Sequence, residues 1–243
     1  MTYGTAIVTG SGRGIGKETA TLLSKMGLNV VICSRTQGEI DSTVKEIKEK
    51  VIATKNGYDD DDRILGIKCD VSRSSEVHYL IKSTIEKFKS IHILVNNAGI
   101  VYVKKLIDTS EEEWAKTINI NLTGAFLFSK AVLPFMIKKD VSGGGVIINV
   151  SSGAGKTGFP DISAYCASKF GVIGLTESVA KEVTDYNVKI MAICPGGVDT
   201  KMIDNIVRDE YNLSNRNLMK PEQVSNKIYD MIFNQKMTIM DNQ

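Results

Sequence analysis

Tyr165 and Lys169 stand four residues apart in a stretch with helical character, so a phenol and an ammonium share one helical face. A free tyrosine has a pKa of about 10, too high for easy proton exchange near neutrality. A neighbouring ammonium stabilises the phenolate and brings that value down. Such a pair can give a proton to an oxygen that is gaining negative charge, or take one back. Ser151 and Ser152 lie upstream, and a serine hydroxyl can hydrogen-bond that oxygen and align it. Alone the pair is weak: the chain has eight tyrosines, and about one Tyr-x-x-x-Lys is expected by chance. Its weight comes from its surroundings.

Residues 9–16 (TGSGRGIG) follow a short apolar run, TAIVT, and open a helical segment. Glycines allow a tight turn and let backbone N–H groups approach a pyrophosphate, while the helix directs its positive end at that charge. Gly10, Ser11, Gly12, Arg13, Gly14, Ile15 and Gly16 are therefore expected to line a dinucleotide site. A plain strand-to-helix turn would look similar in isolation; the alternating chain around it favours the dinucleotide. The end of the second strand chooses the cofactor. An Asp or Glu there would take the ribose 2′-OH of NAD, but this chain has Ser34 and Arg35, and the next acid, Glu39, lies beyond the strand end. Arg35, with Arg13 inside the loop, suits a 2′-phosphate, so NADP(H) is expected over NAD(H).

These groups need a scaffold, and strand and helix patterns alternate to supply one. Strands are expected at residues 5–9, 28–33, 64–69, 91–95, 146–150 and 188–194. Helices are expected at 14–26, 40–52, 74–88, from Ser110 to about 139 with a bend, at 163–184 and at 221–234. Ser110 with Glu113 has a capping-box pattern. Alternation implies parallel strands joined by right-handed crossovers, and strands without polar alternation fit a sheet covered on both faces. The expected fold is α/β: a single-domain Rossmann-type doubly wound parallel sheet with helices on both faces. In that architecture chemistry gathers beyond the carboxyl ends of the strands, where Ser151 and Ser152 would lie. Residues 55–62 (KNGYDDDD) read as a solvated surface loop.

The motifs TGSGRGIG (9–16), NNAG (96–99), NINLTG (119–124), Ser151–Ser152, YCASK (165–169) and PGGVDT (195–200) occur in one order. In this combination the chain resembles the short-chain dehydrogenase/reductase family from about residue 5 to 200. The resemblance implies hydride transfer between NADP(H) and a carbonyl or alcohol, with a catalytic set of Asn121, Ser152, Tyr165 and Lys169. Ser152, thirteen residues before Tyr165, matches the family serine. The Lys169 ammonium and an oxidised nicotinamide would together lower the Tyr165 pKa, Lys169 would also hold the nicotinamide ribose, and Asn121 would support a water relay to it. Asp70 and Val71 resemble an adenine-contacting pair, Asn97 and Gly99 a cofactor wall, and Val198 and Thr200 residues near the nicotinamide amide. Asn96 reads as fixing backbone near the core, and Trp114 as a packing residue. Substrate choice is expected from residues 153–162 and 201–220. The family's glycine-paired C-terminal tail is missing from residues 236–243, which weakens the link to its fatty-acid ketoreductases and to tetramer contacts there. The resemblance implies a homodimer or homotetramer, with the dimer formed through the two long helices.

Composition sets the remaining bounds. The chain has 243 residues and a net charge of +2, which offers no reason to invoke nucleic acid or a membrane. Four cysteines without a Cys-x-x-Cys pair read as buried thiols in a reducing compartment. His78 and His92 lack ligand spacing, so no metal is expected. No charged leader and no long uninterrupted apolar run is evident, so the expected location is cytoplasmic and the partner a small-molecule substrate. Two competing readings are a non-catalytic NADP-binding sensor or regulatory protein, and a sugar-nucleotide epimerase or dehydratase. A sensor would be expected to lack Ser152, Tyr165 or Lys169, and the chain leaves little room for a sugar-nucleotide domain.

Overall fold

The structure, a computed structural model, describes residues 4–52, 62–137, 144–204 and 218–234. Six strands form one parallel sheet: β1 (Thr5–Thr9), β2 (Asn29–Ser34), β3 (Ile64–Lys68), β4 (Ile93–Asn96), β5 (Gly145–Val150) and β6 (Val188–Ile193). Their order is β3-β2-β1-β4-β5-β6. The register sets Ile7 beside Val31 and Leu94, and Ile147 beside Leu94 and Ile190. Because side chains alternate across a strand, neighbouring residues feed opposite cores. Ala6, Val8, Val30, Ile32, Val95 and Ile148 meet α1 (Gly14–Lys25), α2 (Gln37–Ile52) and α8 (Pro221–Phe233). Ile7, Val31, Leu94 and Ile147 meet α3 (Ser74–Phe88) and α5 (Gly124–Met136), where Phe128 is fully buried. Strands covered on both faces explain why they read as continuous apolar runs.

Chain order reverses between β1 and β4: the first three strands spread to one side and the last three to the other. At such a switch point the loops after the strands part and leave a crevice. Helices α6 (Ser163–Glu182) and the short α7 (Lys201–Asp204) border it, and α4 (Glu111–Ile118) packs against α6.

Three differences from the sequence reading have physical causes. The helix expected at 40–52 begins at Gln37, because its first turn is polar and carries no apolar periodicity. The helix expected from Ser110 is split. Its capping box forms, with Ser110 Oγ accepting from Glu113 N and Glu113 Oε2 accepting from Ser110 N, each at 3.1 Å. A π-helical turn at Asn119–Thr123 then separates α4 from α5. Trp114, read as a packing residue, is 42% exposed on α4. The run Glu111–Met136 is long and apolar enough to cross a membrane, yet Phe128, Val132 and Met136 bury it against the sheet. The acidic stretch 59–61, the tail from 235 and residues 205–217 of the expected substrate loop lie outside the described residues.

Candidate active site

A cleft of about 780 Å³ runs over the carboxyl ends of the strands, from the glycine loop to the start of α6. Gly10 (φ +63°) and Gly14 (φ +55°) bend the loop through the left-handed region, where a side chain would be strained. No side chain caps α1 and no acid sits in its first turn, so its leading N–H groups remain available to an anion. Gly10, Gly12, Arg13, Gly14 and Ile15 line the cleft, and the uncapped helix start fits a pyrophosphate. The other two loop residues are turned inward. Ser11 is fully buried; its Oγ donates to Val8 O at 2.7 Å and accepts from Cys33 N at 2.9 Å. At Gly16 a Cβ would stand 2.5 Å from both Asn97 Nδ2 and Gly10 O, so glycine here lets α1 press against the loop. Asn97 lines the cleft, but its amide holds the loop, donating to Thr9 O at 2.9 Å and Gly10 O at 3.2 Å.

Ser152, Tyr165 and Lys169 share the cleft wall with that loop. The first turns of α6 present the phenol and the ammonium, and the end of β5 presents the hydroxyl. The two serines differ in direction. Ser151 Oγ donates to Lys169 O at 2.9 Å, tying β5 to α6, whereas the Ser152 hydroxyl hydrogen-bonds the Tyr165 phenol. Lys169 is 3% exposed and donates from Nζ to Val150 O at 2.8 Å. Burial lowers its pKa to about 8. Its Nζ lies 5.6 Å from the centre of the Tyr165 ring. Burial raises the Tyr165 pKa, and the Ser152 bond only partly opposes this, so the lysine by itself does not supply the lowering expected from lysine and oxidised nicotinamide together. The ammonium is directed at the Val150 carbonyl, so burial outweighs charge stabilisation of the phenolate.

Asn121 lies behind the wall in the π turn, with its amide fully committed. Oδ1 accepts from Ile100 N at 2.8 Å, and Nδ2 donates to Ile100 O at 2.9 Å and Ser168 Oγ at 3.0 Å. Gly99 fits between it and the lysine; a Cβ there would be 3.4 Å from Asn121 Oδ1 and 3.6 Å from Lys169 Nζ. Asn96 holds the core, donating to Asn149 Oδ1 at 2.8 Å and Ser129 Oγ at 3.1 Å.

At the far end, Arg13, Ser34, Arg35 and Val71 line the cleft. Asp70 sits just off the wall. Burial favours its neutral form, but hydrogen bonds from Ser72 and the charges of Arg35 and Arg73 overcome this and hold its carboxyl below the usual range. Glu39 also lines the cleft here, in the first turn of α2, and bonds Arg13 and Ser34. The sequence reading sets it aside as lying beyond the strand; the earlier helix start is what carries it back. Val198 and Thr200 complete the opposite wall, with Thr200 Cγ2 3.2 Å from where a Gly14 Cβ would lie. Val198 bridges Met219, so both ends of the segment between them are anchored beside the cleft.

The family model described as short chain dehydrogenase matches residues 4–211. The chain is 40% identical over 207 residues to the 3-oxoacyl-[acyl-carrier-protein] reductase of Synechocystis, covering 85% of this chain and 78% of that protein. The chain belongs to the short-chain dehydrogenase/reductase family. This dehydrogenase/reductase is also 34% identical over 224 residues to the D-beta-hydroxybutyrate dehydrogenase of Rhizobium meliloti, covering 92% of this chain and 81% of the relative. Its fold is similar to the crystal structure of a substituted actinorhodin polyketide ketoreductase with NADPH. The TM-score there is 0.82 at 30% identity, with 93% of this chain and 89% of the other covered.

Proposed function

We propose that this protein transfers hydride between NADP(H) and a carbonyl or alcohol substrate on one domain, with Tyr165 as proton donor in reduction and acceptor in oxidation. The observation that carries the reading is a shared wall: Ser152, Tyr165 and Lys169 face the same cleft as the uncapped start of α1. When bound, the nicotinamide supplies or accepts the hydride. The glycine loop holds the pyrophosphate, with Arg13 and Arg35 toward the 2′-phosphate. Asp70 and Val71 take the adenine, and Asn97, Gly99, Val198 and Thr200 line the path to the nicotinamide. Ser152 orients the substrate oxygen and Tyr165 exchanges its proton. Lys169 holds the ribose and adds positive charge near the phenol. Asn121, which clasps the Ile100 backbone and bonds the Ser168 hydroxyl next to Lys169, supports a water relay to that lysine.

The relatives named above support an acyl ketone or another small neutral ketone as substrate, and the NADPH in the similar ketoreductase structure supports the cofactor choice. Trp114, Phe126 and Phe170 are exposed on α4, α5 and α6, the helices of the expected dimer, which supports at least a homodimer. Four free, buried cysteines suit a reducing cytoplasm. The test is a panel of ketones, acyl ketones and alcohols, followed by absorbance of reduced nicotinamide with each cofactor. Turnover of at least one carbonyl with NADPH supports the reading; no turnover with any, despite cofactor binding, defeats it.

A further inference from the structure

The Glu39 carboxylate joins two groups at the ribose end of the cleft. Oε1 lies 3.1 Å from an Arg13 guanidinium nitrogen, and Oε2 accepts from Ser34 Oγ at 2.9 Å. The side chain lies across the phosphate loop. A Cβ on Gly12 would stand 2.8 Å from Glu39 Cβ and 2.9 Å from Oε2, so the missing side chain at position 12 leaves the space that this acid fills. The ion pair is open to water, with side-chain exposures of 59% for Arg13 and 28% for Glu39. Exposed pairs of this kind are weak and readily exchanged. Arg35, also on the cleft wall, is exposed.

We propose that Glu39 is a specificity-determining residue: it occupies, beside Arg13, the place that a 2′-phosphate claims, and so limits the preference for the phosphorylated cofactor. The inference rests on the NADP(H) reading of the cleft. A 2′-phosphate arriving here must take Arg13 away from Glu39 and then sit near a fixed negative charge. A ribose 2′-OH meets the opposite situation, because a carboxylate accepts its hydrogen bond. Arg13 and Arg35 on one side and Glu39 on the other therefore pull cofactor choice in opposite directions. Asp or Glu at the end of a strand does this in an NAD site; here helix α2 delivers an acid to the Ser34 strand end from five residues further on.

The test measures binding by calorimetry on the whole protein, using 2′,5′-ADP and 5′-AMP as probes that differ only in the 2′-phosphate. Glu39→Gln keeps an acceptor for Ser34 and removes the charge. It should tighten 2′,5′-ADP roughly tenfold and leave 5′-AMP within about twofold. In an Arg13→Gln background the same change should give a much smaller gain. An unchanged ratio of the two affinities in folded Glu39→Gln protein overturns the proposal. Wild-type protein that rejects 2′,5′-ADP would instead defeat the NADP(H) reading, whichever way Glu39→Gln moves the ratio. A structure of the wild type with 2′,5′-ADP gives a second readout, independent of the variant. Arg13 turned from Glu39 to the phosphate supports the exchange; an intact Arg13–Glu39 pair beside a bound 2′-phosphate refutes it.

Discussion

Lys169 should make the fold of this protein unusually sensitive to alkaline pH, in the stabilising direction. Its ammonium is buried, bonded to Val150 O, and burial pulls its pKa from 10.5 to about 8. The native protein therefore releases this proton near pH 8, while the unfolded chain holds it to about 10.5. Between those values the unfolded chain binds more protons, so stability rises with pH through that window. At 1.36 kcal/mol per pKa unit the whole window is worth about 3.4 kcal/mol, of which roughly 2 kcal/mol falls between pH 7 and 9.5. Lys169→Met keeps most of the stem and removes the titration. The wild type should then gain roughly 2 kcal/mol relative to the variant between pH 7 and 9.5, or about 4–8 °C in the difference of melting temperatures. Urea unfolding of both proteins at matched concentration, at pH 7, 8 and 9.5, measures it. The absolute difference at pH 7 is not diagnostic, because the variant also leaves the Val150 carbonyl without its donor, at about 1–3 kcal/mol. The slope is diagnostic: parallel stability curves for the two proteins would refute the claim that burial holds this lysine's pKa down.

Other expectations follow from single contacts. Tyr165→Phe should remove most turnover, a loss of at least about a hundredfold, while cofactor affinity measured by titration stays within about threefold. Ser110→Ala removes the side-chain half of the capping box on α4, the Oγ that accepts from Glu113 N, and leaves the backbone N–H that donates to Glu113 Oε2; it should cost about 1 kcal/mol in chemical unfolding, with cofactor affinity unchanged. Gly16→Ala would force a methyl against Gly10 O and the Asn97 amide; it should weaken cofactor binding and lower the melting temperature together, since both depend on the loop's shape.

The sheet was legible because buried parallel strands announce themselves as short apolar runs, and all six expected strands overlap observed ones, with edges shifted by no more than two residues. Element edges with polar first turns were not legible, and α2 is the instructive case. Its first turn, Gln37-Gly38-Glu39, has no apolar period, so periodicity starts the helix at Ile40 and leaves Glu39 in a loop. Three residues of helix decide whether that carboxylate faces the cofactor end of the cleft. The π turn was likewise invisible to periodicity, beyond the bend expected in a long helix around Asn121.

What spacing identifies is membership of a site; what it does not identify is the charge state there. Spacing makes Tyr165 and Lys169 act on each other directly, the ammonium acidifying the phenol. In the folded protein each is governed first by burial, which moves both toward their neutral forms: the phenol's pKa up, the ammonium's down. Lys169, at about 8, still keeps its proton near neutrality, but its Nζ lies 5.6 Å from the centre of the Tyr165 ring and bonds Val150 O, so the phenol stays neutral until further positive charge enters. An oxidised nicotinamide carries that charge. Proton-transfer readiness would then be conferred by cofactor binding, so the tyrosine's apparent pKa should fall when oxidised cofactor is bound. Ultraviolet difference titration of wild type against Tyr165→Phe, with and without oxidised cofactor, measures this; a phenol that titrates at the same pH in both states would count against cofactor-coupled activation.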